Sequence, residues 1–448
     1  MKRSYLEYGL ALLGLRFALD VAYVGFVSPA FSDHFLLPMP LDVSLVRYVL
    51  SLLVYFAAVV VASPEKARVS NLFFLIALAF VFAPLTTLWG LDSERPLLPV
   101  ATTLFSLVVV RVVTVGRVGR RLRVPTIREG RDIAILGSLV LVVAAIGWSV
   151  ASGAASRMSL SLADIYLNRG DLSALNDIAL MAYVNQWAFK IFSIMLFALA
   201  LTRGRYGLAL LLVALQVYFF GITARRMILF LPILTAGVWY FYSRGYQLSR
   251  LAVGMGSAIV AALLLTLNFD LSTVGSIAIR RAFFVPASAT FEWFAFFGER
   301  PVVLWSDSLL SGLIDSPYNG RRLPLILGDH MASGRGISAN NGFVSSGFAH
   351  AGFLGVLLYS VLFGLFCRAC DHVASNERQL ILVAAVLVGP VRTAWADSDL
   401  LTAFLTHGLA VGLVVVWVYS GTVQWQRRRA QPLTRSTTHA TAPSTGTA

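Results

Sequence analysis

The chain has 448 residues, of which 58% are apolar and only 13% charged, against about 45–50% and about 25% in ordinary soluble domains. So few charges cannot cover a globular surface, which excludes a water-soluble enzyme. The formal net charge of +14 reads, in so apolar a chain, as anchoring at a cytoplasmic membrane face rather than nucleic-acid binding.

Apolar runs of spanning length, about 20 residues each, predict twelve transmembrane helices, near residues 5–28, 43–62, 70–90, 97–115, 132–151, 178–202, 205–221, 226–243, 250–268, 347–369, 379–396 and 400–420. The first run ends in Ala22-Tyr23-Val24 without a small-residue cleavage site, so it is read as a retained span. Within it Arg16 and Asp20 stand four apart and predict an ion pair on one helix face. The loop after the fourth run sets Arg117, Arg120, Arg121, Arg123, Arg128 and Arg131 against a single Glu129. Placing that loop in the cytoplasm puts both termini there, with Lys2, Arg3, Lys66, Arg68, Arg203, Arg205, Arg244, Arg250, Arg378 and Arg427–Arg429.

Residues 1–426 then form an all-α polytopic membrane domain, and 427–448 a polar, disordered cytoplasmic tail. The same orientation places 152–177 outside, together with a large extracytoplasmic loop over 269–346 that carries part of the site. Stretches 282–297 and 309–314 of that loop are amphipathic and predict an interfacial position. No 20–50-residue period and no halving into transporter-like repeats is visible.

Lys190 falls in the middle of the sixth run without an acid four residues away, so it either meets a tertiary partner or faces an internal cavity. Basic residues on the outer face run against the positive-inside bias: Arg225, Arg226, Arg280, Arg281, Arg300, Arg321, Arg322, Arg335 and Arg392. Singly they suit headgroup anchoring; as a set they suit a clamp on phosphate, because guanidinium binds it bidentately and keeps its charge. Arg225, Arg226, Arg280, Arg281, Arg335 and Arg392 are the candidates for a diphosphate site, whereas Arg300 and Arg322 are expected to tolerate loss. Asp397-Ser-Asp399 has a DxD form but reads as a solvated outer turn, and Cys367-Arg-Ala-Cys370 lies at a helix end without further ligands. The six histidines form no zinc spacing, and no P-loop or GxSxG occurs, so no metal and no cofactor is expected.

Gly336-Ile-Ser-Ala-Asn-Asn-Gly342, followed by Gly347-Phe-Ala-His-Ala-Gly352-Phe-Leu-Gly355-Val-Leu-Leu-Tyr359, resembles the "SANxG … GYAxxGxxGxxxY" block of bacterial Wzy-type O-antigen polymerases. Ser398-Asp-Leu-Leu-Thr402-Ala-Phe-Leu-Thr406-His-Gly408 is similar to the "SxLxTxxLTxG" close of that family, and Gly221–Arg226 to its looser "GxR". The matches run from about 221 to 408; the first 200 residues are similar in hydropathy only, and His350 stands where relatives often have Asn or Gln. The resemblance implies a GT-C-like glycosyltransferase of the bacterial inner membrane, joining undecaprenyl-diphosphate-linked oligosaccharides on its outer side. Its implied partners are those lipids, the bilayer, a flippase and a chain-length regulator, with no nucleic acid. The chemistry asks for positioning and charge neutralisation and for a base: His350 first, with Glu292 behind it. Asn340, Asn341, Thr406 and His407 are candidates for the sugar. A glycan ligase and a polyprenyl-linked glycan transporter remain alternatives.

Overall fold

In the computed structural model, residues 2–64, 67–116, 126–160, 179–245, 247–332, 337–374 and 376–430 are described. Among them there is no strand, only two isolated bridges, Asp42 with Asp92 and Ser311 with Ile314. Among the described residues, twelve helices are long and apolar enough to cross a membrane. Spans one to six are Tyr5–Phe31, Leu45–Ala62, Val69–Leu91, Leu98–Val115, Gly130–Ala151 and Leu180–Thr202; spans seven to twelve are Tyr206–Thr223, Arg226–Ser243, Leu248–Asn268, Phe343–Val373, Glu377–Ala396 and Leu400–Thr422. Each coincides with a predicted run, its ends moved by a few residues. The chain is a polytopic all-α membrane protein.

Burial sorts these spans into a centre and a shell. In spans three and eleven 94% of the most apolar stretch lies inside, against 28% in spans two and five. The outer spans leave Leu136, Leu210 and Leu211 exposed, which costs little where lipid replaces water. Span one packs on nine, four on ten and five on twelve. The Arg16–Asp20 pair forms as its spacing predicts. It is held in the dry interior by neighbours: Arg16 donates to Thr86 and Ser51 at 3.1 and 3.2 Å, and Asp20 accepts from Tyr48 and Thr87 at 2.9 Å.

Two spans depart from straight helices. Span ten breaks at Ala351 and Gly352, where Gly352 adopts φ 58°, ψ −142°, a region open to glycine. Across that corner Phe343 stacks on Phe363 at 5.2 Å, and a Cβ on Gly347 would stand 3.0 Å from the Gly355 carbonyl and 3.2 Å from Tyr359. Residues 343–350 therefore fold back on the helix that follows, and only the arm after Gly352 has the length of a span. Span twelve begins as the short helix Leu400–Leu405, breaks around Gly408 (φ 88°) and resumes as Leu409–Ala430. That last helix runs past the tail boundary at 427; from 431 onward the tail lies outside the described residues.

The amphipathic reading of 282–297 needs correction. Val285–Gly298 is a helix buried almost throughout, packed against span ten; its polar residues Ser288 and Thr290 are inside with the apolar ones. Residues 309–314 form turns with Leu309 and Leu313 exposed.

Candidate functional site

One large cavity, of about 1250 Å³, opens between spans three, six, eight, nine and eleven. Three short π-helical stretches shape its wall. Leu78–Phe82 supplies Phe80, Ala188–Phe192 supplies Phe189 and Lys190, and Ser276–Phe284 supplies Ile277, Ala278, Arg281, Ala282 and Phe283. A π turn inserts a residue into the helix and re-aims the side chains around it, which is why such turns gather at functional sites.

One end of the cavity is cationic. Lys190, Arg225, Arg226, Arg281, Arg322 and Arg392 line it, six basic residues against one carboxylate, Asp397, among the described residues. Arg392 pairs with Asp397, also reaches the Ala282 carbonyl at 3.4 Å and lies over the Phe80 ring at 5.3 Å. Lys190 Nζ and His407 Nδ1 are 2.9 Å apart, both facing the cavity. That contact settles the sequence alternatives for Lys190: it faces an internal cavity, and its close partner is an imidazole rather than a carboxylate. Gly408 makes it possible, since a Cβ there would press on Ile191 at 2.8 Å from Cδ1. Asn185, Gln186, Thr223, Asn340 and Thr393 add polar groups. Gln186 is 5% exposed and its carbonyl oxygen meets no donor among the described residues, leaving a buried acceptor that a ligand hydroxyl would satisfy.

The rest of the cavity is apolar. On span eight its lining falls in one helical stripe, Met227, Phe230, Ile233, Leu234, Gly237, Val238 and Phe241. Span nine contributes Leu251, Gly254, Met255, Ala258 and Ile259, and span three Leu72, Leu75 and Ile76. Leu72, Phe241 and Leu251 all sit near the helix ends opposite the cationic mouth.

The cavity gathers Arg225, Arg226, Arg281, Arg392, Asn340 and His407 from the sequence candidates. Others lie elsewhere. Arg280 is buried with its guanidinium 4.2 Å from the Phe31 ring centre. Arg335 lies outside the described residues. Asn341 is buried, donating to Thr290 at 3.1 Å and accepting from the Gly342 N–H at 2.7 Å. Thr406 closes the short helix Leu400–Leu405 away from the cavity wall. Glu292 pairs with Arg95 at 3.5 Å, and Arg95 in turn holds Asp92 at 2.8 Å. Arg322, expected to be dispensable, lines the mouth.

His350, the base favoured from sequence, is also away from the cavity lining. It is 2% exposed at the corner of span ten. Its Nδ1 accepts the Trp305 N–H at 3.3 Å, and its Nε2 lies 3.5 Å from Asp399 Oδ1. Trp305 stacks on the imidazole with ring centres 5.1 Å apart and donates to the Tyr359 hydroxyl at 2.7 Å, which donates to Asp399 at 2.8 Å. Both ring nitrogens are committed, so this histidine fastens the corner and has no lone pair free for a substrate. The DxD reading as a solvated turn is likewise revised. Asp397 belongs to the cavity, whereas Asp399 caps the helix Leu400–Leu405 by accepting the N–H groups of Leu401 and Thr402 at 2.9 and 3.2 Å. Burial alone would raise the Asp399 carboxyl; its hydrogen bonds to His350, Tyr359 and the Thr402 N–H outweigh that and hold it below the ordinary range.

Sequence reasoning missed Gln186 and the apolar stripe of span eight. The first left a signal: Gln186 and Lys190 stand four apart, on one face of span six. Comparisons with family models, curated proteins and solved structures found no match for this chain.

Proposed function

We propose that this protein is a membrane glycosyltransferase that polymerises undecaprenyl-diphosphate-linked oligosaccharide repeat units into a surface polysaccharide. The reading places it in a bacterial inner membrane with the cationic mouth on the outer side, as the basic residues at the opposite ends of the spans favour. The observation that carries it is the union, in one cavity, of five arginines with an apolar corridor. So many like charges gathered at one cavity mouth favour an anionic ligand, and the corridor asks that the anion carry a long hydrocarbon chain. A polyprenyl diphosphate has both parts.

The reaction follows from that placement. The hydroxyl oxygen of one lipid-linked repeat unit attacks C1 of the sugar at the diphosphate end of the growing glycan. The C1–O bond breaks, and undecaprenyl diphosphate leaves with the bonding electrons. Arg225, Arg226 and Arg281 neutralise the charge that grows on the leaving diphosphate. The hydroxyl proton passes to the Lys190–His407 pair, the groups of the wall that exchange a proton while the guanidiniums keep theirs. Gln186 and Asn340 offer hydrogen bonds to sugar hydroxyls. Deletion in the native host, followed by gel analysis of surface and lipid-linked glycan, tests the proposal. Loss of polymer with single repeats still reaching the surface is expected. Repeats trapped on the inner leaflet would identify a transporter instead, and free polymer left on its carrier lipid would identify a ligase.

A further inference from the structure

The corridor has a definite length. On span eight its lining runs from Arg226 at the mouth to Phe241, fifteen residues at about 1.5 Å rise, or about 22 Å. Spans three and nine reach the same depth independently, through Leu72 and Leu251, each within about one turn of its helix end. An isoprene unit adds four carbon–carbon bonds of about 1.5 Å, or about 5 Å of extended chain, so about four units fill the corridor. We infer that the protein recognises the four or so isoprene units next to the diphosphate and leaves the remainder of a longer chain in the bilayer. The corridor acts as a gauge of the carrier lipid, with the cations fixing its zero. This rests on the proposed reading of the cavity as a polyprenyl-diphosphate site, and it deepens that reading by defining the lipid class accepted.

The geometry also supplies a way to move the gauge. Gly237 lines the corridor eleven residues, about 16 Å, beyond Arg226, and among the described residues a Cβ built on it meets no atom within 4 Å outside its own stretch of helix. A large side chain there has room to point into the corridor without displacing a neighbour, and it shortens the usable length to about three units. Replacing glycine inside a helix also removes an unfavourable residue, so the variant is not expected to suffer in folding. Gly254, by contrast, would bring a Cβ to 3.3 Å from the Phe241 ring, which makes it the poorer site for the test.

The experiment uses the full chain in lipid nanodiscs and measures displacement of labelled farnesyl diphosphate. The competitors are unlabelled polyprenyl diphosphates of one, three, four, eight and eleven units, with phosphatidylglycerol as an anionic-lipid control. Because the competing environment is lipid rather than water, added units gain only packing. Affinity per mole of lipid is expected to rise about tenfold from one unit to four and then stay level to eleven. In Gly237→Phe the levelling moves to three units while one-unit affinity is unchanged. A rise that continues to eleven units, no dependence on length, or no shift in Gly237→Phe overturns the gauge while leaving the diphosphate site standing. No displacement by any diphosphate overturns the site itself, and equal displacement by phosphatidylglycerol assigns the corridor to bulk lipid.

Discussion

Arg280 and Arg281 are neighbours in one π-helical stretch, yet the structure gives them opposite surroundings, and that makes the pair a sharp test. Arg281 faces the cationic mouth; Arg280 is 5% exposed and lies over the Phe31 ring at 4.2 Å. Removing a donor aimed at developing charge costs about 10²–10³ in rate, about 3–4 kcal/mol of barrier. Arg281→Ala should therefore lose at least about a hundredfold in polymerisation per folded molecule, with thermal stability close to wild type. Arg281→Lys should fall between, since it keeps the charge but loses the planar fork. Arg280→Ala removes a cation–π contact worth about 1–2 kcal/mol and the packing of its stem. It should lower the melting temperature while the folded fraction keeps most of its rate. Arg300 lies over Phe296 at 3.9 Å, away from the cavity lining, and Arg300→Ala serves as the exposed control. The assay is polymer formed from purified lipid-linked repeats, normalised to protein that stays monodisperse in detergent. Equal losses for Arg281→Ala and Arg300→Ala would refute the clamp, as would full activity in Arg281→Ala.

Four further outcomes are expected from the same geometry. In a background lacking Cys367 and Cys370, Ser316→Cys should react with an impermeant maleimide from outside the membrane and Ser63→Cys should not; the reverse would invert the proposed orientation. Tyr359→Phe leaves the half-buried Trp305 indole N–H without its acceptor and should cost about 1 kcal/mol of stability, read as a lower melting temperature. The Asp399 carboxyl is held below its ordinary value near 3.9, so its stabilisation is present above that pH and is lost as pH falls through the lower folded value. The gap in melting temperature between wild type and Asp399→Asn should stay constant from pH 8 to 5 and close below about pH 4. Gly355→Ala would drive a Cβ into the Gly347 carbonyl and should abolish accumulation of folded protein, whereas Gly237→Ala, with open space at Cβ, should be neutral in expression and melting temperature.

The spans were legible because hydropathy and spanning length are read from the same residues. The Arg16–Asp20 pair was legible because an i, i+4 spacing puts two side chains on one helix face whatever lies around them. The arginine cluster was legible only as a set. Sequence put Arg280 and Arg281 on the same side of the membrane, but which of two adjacent side chains enters a cavity depends on a π turn, and that turn leaves no composition signal. The same limit misplaced 282–297. The helix there is buried on most of its surface, against span ten and the bundle interior instead of lipid, because Gly347, Gly352 and Gly355 let residues 343–350 fold back and build a wall for it.

That wall also explains why the motif block misled about chemistry. The glycines at 347, 352 and 355 are spaced for a helical corner. Gly352 takes the positive φ, and Gly347 and Gly355 permit backbone-to-backbone approach across it. His350 lies inside the corner, where its two nitrogens tie Trp305 and Asp399 to span ten. A histidine amid such glycines invites a catalytic role, yet a base needs a free lone pair directed at the substrate, and this one has neither the lone pair nor the access. Lys190, Gln186 and His407, which have that access, come from spans six and twelve, and Lys190 and His407 meet because Gly408 lets the break in span twelve settle on Ile191. The corner thus acts on the proposed site at one remove. By fixing Asp399 it caps Leu400–Leu405, and the chain leaving that short helix brings His407 to Lys190.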